Sequence, residues 1–345
     1  MNIVQGNLTL PAGSMLTVSS MSVAGDLTLL SGARLAHAQN SATRQYWLNL
    51  TVGGNLDLQS GATIYLDGLG YAGGGAYASG FGPGYGGRYT DCGSGAGHGG
   101  AGGAGASWPG VGDGGGGIVY DNLTEPIDLG SGGGGGAAGA GGNGGGALIA
   151  AVGGTAYLNG VISANGNNGS AAGYNGGGSG GTINIKAGVI AGTGILRVNG
   201  GLGTAYGSGG GGGLIALQTN ILNSFTGTKS AVPGPGYQNG GAGLTAERPN
   251  LSSNYAFTVA GMGVIPGSNT VIPANFPGIE SLVISTAIVV SSTFTVNNLT
   301  LGTNAVMNVN QVTVSNLMVN PNSNATIKGT VIVQGNLTLQ AGSVL

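Results

Sequence analysis

The chain has 345 residues, of which 80 are glycine and only 18 are charged, ten acidic and eight basic, for a net charge of −2. A charged share of 5%, against ~25% in ordinary soluble domains, leaves no field to steer nucleic acid and no polybasic patch for a membrane surface. The 41% hydrophobic share argues against high-charge disorder, and the single cysteine, Cys92, excludes an internal disulfide and any C-x-x-C site.

Met1-Asn2-Ile3-Val4 runs directly into a strand motif with neither a basic nor an apolar leader, which fits a processed chain or a segment of a longer one. That motif, Val4-Gln5-Gly6-Asn7-Leu8-Thr9-Leu10-Pro11-Ala12-Gly13-Ser14-Met15-Leu16, returns at Val333 to Leu345 with eleven of its thirteen positions unchanged. Its core, [Asn/Asp]-Leu-x-[Leu/Val], starts at Asn7, Asp26, Asn55, Asn298, Asn316 and Asn336; a degenerate copy starts at Ser281, and Asn49 begins a match out of step. A period near 19 is a solenoid signature. Alternation such as Leu8 and Leu10 against Asn7 and Thr9 predicts strand, with the leucines inward. Gly13, Gly32, Gly61 and Gly342 follow each strand, and Asn304 takes the same place in the copy from Leu301. Glycine and asparagine tolerate positive φ, so these are corners. A second strand follows each corner and a third precedes the next copy.

The middle uses a longer coil. Ala147 to Ala150, Thr182 to Ile185 and Leu214 to Leu217 recur at 35 and 32 residues, and second strands close at Asn165-Gly166 and Asn199-Gly200, with Asp67-Gly68 as an earlier instance. Glycine arcs connect them; they alternate with the strands, so arc is expected to lie on arc, backbone against backbone. Pro233 to Gly236 and the following glycine-rich run to Gly243 look like a break, and residues 244–279 read as a connecting segment. The expected fold is all-β, a right-handed parallel β-helix with glycine-rich arcs in the middle. Its divisions are 1–68 (N-terminal coils), 69–243 (glycine-rich section) and 244–345 (connecting segment and C-terminal coils).

The order Cys92-Gly93-Ser94-Gly95-Ala96-Gly97-His98-Gly99-Gly100, then Tyr120, Pro126, Ser131-Gly132-Gly133-Gly134-Gly135 and Ala164-Asn165-Gly166 resembles the glycine-rich segments of large secreted or surface β-helical proteins. The flanking coils are similar to filamentous-haemagglutinin-like β-helices. The resemblance implies an extracellular, adhesin-like or structural setting and carries no catalytic residues.

Half of the carboxylates fall between Asp91 and Asp128. Asp91, Asp113, Asp121 and Asp128 are weak candidates for Ca²⁺, which takes six to eight oxygens, although no EF-hand spacing is present; no other cofactor is implied. His98 near Ser94 and Asp91 lacks a nucleophile elbow and reads as a structural hydrogen bonder. His37 reads as a surface residue. Tyr85, Tyr89 and Trp108 are candidate sugar contacts. The basic residues are scattered singly, so the lyase pattern of clustered carboxylates beside a basic residue is missing, and the chain reads as a non-enzyme. Its expected function is that of an extracellular or cell-surface structural protein. It would polymerise head to tail with itself, or form part of a long surface solenoid, through Gly6, Asn7, Leu8 and Leu10 at one end and Gly335, Asn336, Leu337 and Leu339 at the other. Neither nucleic acid nor membrane insertion is expected. The alternative is a polysaccharide-binding module or a β-helical polysaccharide lyase or hydrolase.

Overall fold

The computed structural model describes residues 2–106, 115–250, 254–261, 267–273, 276 and 278–345, and every regular element among them is a strand. In the first block, Asn2–Val4, Ser20–Val23, Leu48–Val52, Ala147–Leu158, Thr182–Gly192, Leu214–Phe225 and Leu244–Arg248 pair in parallel, each with the next. The motif strands Leu8–Leu10, Leu27–Leu29 and Leu56–Leu58 continue this sheet beside the far half of Ala147–Leu158. A second sheet, also parallel, runs Met15–Thr17, Arg34–Ala36, Thr63–Tyr65, Val161–Ser163, Ile195–Arg197, Thr228–Ser230. The leucine ladder is real: Leu27, Leu29, Leu56 and Leu58 are fully buried between the sheets, beside Leu35 and Ile64 of the second. Asn49 is out of step because Leu48–Val52 repeats the strand that precedes the motif, pairing Leu50 with Met21.

The corners turn where glycine and asparagine predict. Gly13, Gly32, Gly61 and Gly342 have φ of 75, 83, 84 and 73°, and Asn304 and Asn322 have 51 and 52°, the left-handed region in which a larger side chain is strained.

After Arg248 the sheet continues but the chain reverses. Thr245, Ala246 and Glu247 pair antiparallel with Thr258, Phe257 and Ala256. From there Tyr255–Ala260, Ile279–Ser285, Ile288–Leu301, Val306–Val319 and Thr326–Leu339 are again mutually parallel. The core changes sides at the same point. Successive residues of a strand face opposite ways. Ile215 and Leu217 point into the first core, whereas Leu214, Leu244 and Ala246 belong to a second one with Phe257, Val259, Leu282, Leu299 and Leu317. Lys229 and Glu247 close the end of the first core with an ion pair of 2.9 Å.

Two expectations need correction. Pro233 to Gly243 is not a break: Gly209 and Gly212 donate to Gln238 O and Gly241 O, so the segment is a further layer of the glycine region. Residues 244–279 are not a mere connection, since Leu244–Arg248 and Tyr255–Ala260 are rungs of the main sheet and carry the reversal.

The glycine arcs leave the second sheet and pack beside the coils as a lattice of straight segments. Its bonding has a period of three. Gly130 and Gly133 donate to Gly145 O and Gly142 O; Gly132 and Gly135 donate to Phe81 O and Ala78 O; Gly134 donates to Ser94 O. Likewise Gly93 and Ala96 donate to Tyr174 O and Gly177 O, and Gly177 and Gly180 to Ser208 O and Gly211 O. Every third residue returns to the same neighbour, the signature of extended helices with three residues per turn, bonded laterally because they have no internal bonds. None of these glycines has positive φ. They are glycine because of crowding: a Cβ on Gly144 would sit 1.9 Å from Gly130 O, and one on Gly176 2.0 Å from Ser94 O.

Candidate functional site

The two ends of the stack cover their core-facing leucines less than the interior does. In the last rung Leu337 and Leu339 are 55% and 53% exposed, although Leu317 and Val319, with which they pair, are buried. In the first rung Leu8 is only partly buried, although its partner Leu27 is fully buried, and Leu10 is buried; Ile3 and Met15 are exposed at outward-facing positions, paired with Ser22 and Arg34. The positions that the sequence pairs across the ends, Leu8 with Leu337 and Leu10 with Leu339, occupy equivalent core-facing places in their ladders. Gly6 and Gly335 lie just before them, and Gly13 and Gly342 turn the corner after them with nearly the same φ.

The stack is also polar. Asn7 Oδ1 accepts from Asp26 N (2.9 Å), Asp26 Oδ1 from Asn55 N (2.7 Å) and Asn55 Oδ1 from Thr155 N (2.8 Å). On the far side Asp67 Oδ1 accepts from Asn165 N, Asn165 Oδ1 from Asn199 N, and Asn199 Oδ1 from Val232 N. In the second block Asn298 Oδ1 accepts from Asn316 Nδ2 (3.0 Å) and Asn316 Oδ1 from Asn336 Nδ2 (3.2 Å). In each of these series the earlier coil supplies the side-chain acceptor and the later coil the donor. The first rung therefore presents donors outward through Asn7, and the last rung presents the Asn336 acceptor.

The acidic candidates are drawn into a strap. Residues 121–129 cross the outer face of the main sheet, where Thr182 Oγ1, Asn184 Nδ2 and Gln218 Nε2 donate to Asp128 O, Pro126 O and Thr124 O. Asp121 Oδ2 accepts from the N–H groups of Ile127 and Asp128, and Asp128 Oδ1 from Leu129 N and Tyr71 OH. Burial raises the Asp121 carboxyl, but hydrogen bonding and charge from His98, with the backbone N–H groups, outweigh it and hold the group below the usual carboxylate value. Both carboxylates are thus occupied in holding the strap. Asp91 is exposed at the edge of the lattice, and no cluster of three or more metal-ligating side chains occurs among the described residues. Asp113 lies outside them.

His98 is fully buried, with Nδ1 2.9 Å from Gly180 O, Nε2 3.4 Å from Asp121 Oδ2 and its ring stacked on Tyr120 at 4.6 Å. It fastens the strap to the lattice. His37 is the reverse of its expectation: it is 2% exposed. Its Nδ1–H donates to Ala38 O (2.8 Å) and its Nε2 accepts from Ala147 N (3.3 Å), which fixes the neutral ring. Burial lowers its pKa to about 4, against a smaller upward effect of the Ala38 bond. Its neighbours Arg34 and Arg44 hid this in the sequence; they turn away, onto the rings of Tyr65 and Trp47.

Of the sugar-contact candidates, Tyr85 is 50% exposed on the lattice; Trp108 and the Tyr89 side chain lie outside the described residues. A different aromatic row emerges. Tyr174, Tyr206 and Tyr237 stand at the tips of successive arcs with ring centroids 5.2 and 6.2 Å apart, and Tyr206 and Tyr237 are more than half exposed. Their spacing in the sequence is within one residue of the coil length, which is the signal that could have found them.

No family model matches the chain, and neither the curated proteins nor the solved structures contain a match. Among the described residues no helix is long and apolar enough to cross a membrane.

Proposed function

We propose that the chain is a right-handed β-solenoid whose 345 residues assemble head to tail into filaments, as an extracellular or cell-surface structural element. The observation that carries this reading is the pair of matched end rungs: Leu337 and Leu339 are exposed and Leu8 and Leu16 only partly covered, where their interior partners Leu317, Val319, Leu27 and Leu35 are buried. Laying Gly6 to Leu16 on Gly335 to Leu345 would bury both sets and extend the Asn ladder, Asn7 donating to Asn336 Oδ1. A contact between unlike ends does not close on itself, and such contacts give filaments. A further repeat of the motif within one longer chain would make the same contact. The right hand is supported by the parallel strands of one sheet being joined through a second sheet, a connection that is overwhelmingly right-handed. The extracellular setting rests on the low charge and on a lattice that draws its cohesion from the backbone. The strap carboxylates serve as structural acceptors, which favours a non-catalytic role.

The test is sedimentation of the unmodified chain over a wide concentration range. Growing polymer is expected; a monomer throughout would overturn the reading. The exposed row Tyr174, Tyr206, Tyr237 favours a second, compatible reading, contact with extracellular polysaccharide along the arc tips, since aromatic faces stack on sugar rings. Pelleting with insoluble polysaccharides should then fall when Tyr206 and Tyr237 are replaced by alanine, with no product released; undiminished pelleting would remove this reading.

A further inference from the structure

Because the strand direction reverses inside each copy, the assembly has a required symmetry. We infer that successive copies in the filament are related by a half-turn about its axis, to which only the accumulated twist of the sheet is added. The inference rests on the head-to-tail reading above.

Within one copy, Thr326–Leu339 at the tail belongs to the set of strands that runs antiparallel to the set containing Asn2–Val4 at the head, the change occurring where Thr245 pairs with Thr258. The cores are on opposite faces of the shared sheet at the two ends. A second copy stacked by pure translation would set its Leu8–Leu10 antiparallel to Leu337–Leu339. It would also lay its first core over the bare outer face of the tail sheet. Both faults are removed by one operation. A rotation of 180° about the stacking axis reverses the strand direction of the incoming head and carries its core to the other side. Val4, Leu8 and Leu10 then fall over Val333, Leu337 and Leu339, and the corner at Gly13 over that at Gly342. No other rotation about the axis satisfies direction and core together.

The ladder polarity selects the same partner surface. A head-to-head pair would oppose donor to donor and a tail-to-tail pair acceptor to acceptor, whereas the half-turned, head-to-tail pair sets Asn7 against the Asn336 acceptor. The rise follows from strand spacing. Twelve strands lie in succession across the main sheet among the described residues, and at ~4.8 Å each one copy advances the filament by about 58 Å. The glycine lattice belongs to the first block alone, so the lattices of neighbouring copies would project from opposite flanks.

Cryo-electron microscopy of filaments formed by the 345-residue chain tests this. The expected image has a subunit rise near 58 Å, with successive lattices on alternate flanks. Filaments with every lattice on one flank would overturn the half-turn and leave head-to-tail assembly standing. Monomers at every concentration would overturn both. A double variant with Thr9→Cys and Thr338→Cys gives an independent reading, since the half-turned register brings these positions of neighbouring copies together. Under oxidation it should yield a ladder of disulfide-linked oligomers in denaturing gels, while either single variant stays unlinked at that position. Linked dimers from a single variant would overturn the register.

Discussion

At the scale of single residues, glycine does two different jobs here, and substitution separates them. Gly13 has φ of 75° and open space around its Cβ position, so Gly13→Ala should cost only the left-handed strain, ~1–2 kcal/mol, and Gly13→Asn less. Gly144 has ordinary φ but no space, with a carbonyl oxygen 1.9 Å from where a Cβ would be. Gly144→Ala must push lattice segments apart and should lower the thermal midpoint more than Gly13→Ala does; an unchanged midpoint would contradict the lattice. His37 supplies a pH signature. Its pKa falls from 6.5 to about 4 on folding, so the unfolded chain binds the extra proton first. Stability is complete above pH 6.5 and declines as pH falls toward 4, by about 3 kcal/mol in all. Asp121, held below its ordinary value, contributes stability that is lost only at lower pH, beneath 3.8. Denaturant midpoints at pH 7 and pH 4.5 should differ for the unmodified chain and differ less for His37→Gln; equal pH dependence would sink this assignment.

At the scale of elements, the coils were legible and the lattice partly so. Period-2 leucines, αL corners and the 35- and 32-residue recurrences all state local rules that the structure obeys, because each coil repeats the one beneath it. Leu299→Ala, at a site 1% exposed, should therefore cost ~2–5 kcal/mol, whereas Leu337→Ala, at a site 55% exposed, should cost far less in the monomer; equal losses in thermal melts would mean the ladder is misassigned. The reversal after Arg248 was not legible. It depends on which face of one strand is covered, and Leu214-Ile215-Ala216-Leu217 is apolar on both faces, so alternation carries no sign. The buried state of His37 was hidden for a related reason: its cover is Gly146 and Ala147, more than a hundred residues away in the chain. The three-residue period of the arcs was hidden too, because the partners of each glycine lie in several different segments.

At the scale of the whole molecule, the first and last rungs of the stack carry the same motif, and the proposed assembly follows from that match. Interior rungs bury leucines that the last rung exposes and the first only partly covers, and the corner Asn and Asp series place the acceptor in the earlier coil and the donor in the later one. Charge placed in an end rung should block one end and leave the other competent. Leu8→Asp removes a working head and keeps the tail; Leu337→Asp removes the tail and keeps the head. Mixing the two variants is the most direct test, read by sedimentation with circular dichroism to verify that both remain folded. Each variant alone should be monomeric, and the equimolar mixture should form dimers and nothing larger, because one good tail meets one good head and growth stops there. Dimers from either variant alone, or no association in a mixture of folded variants whose parent polymerises, would contradict assembly through these two ends.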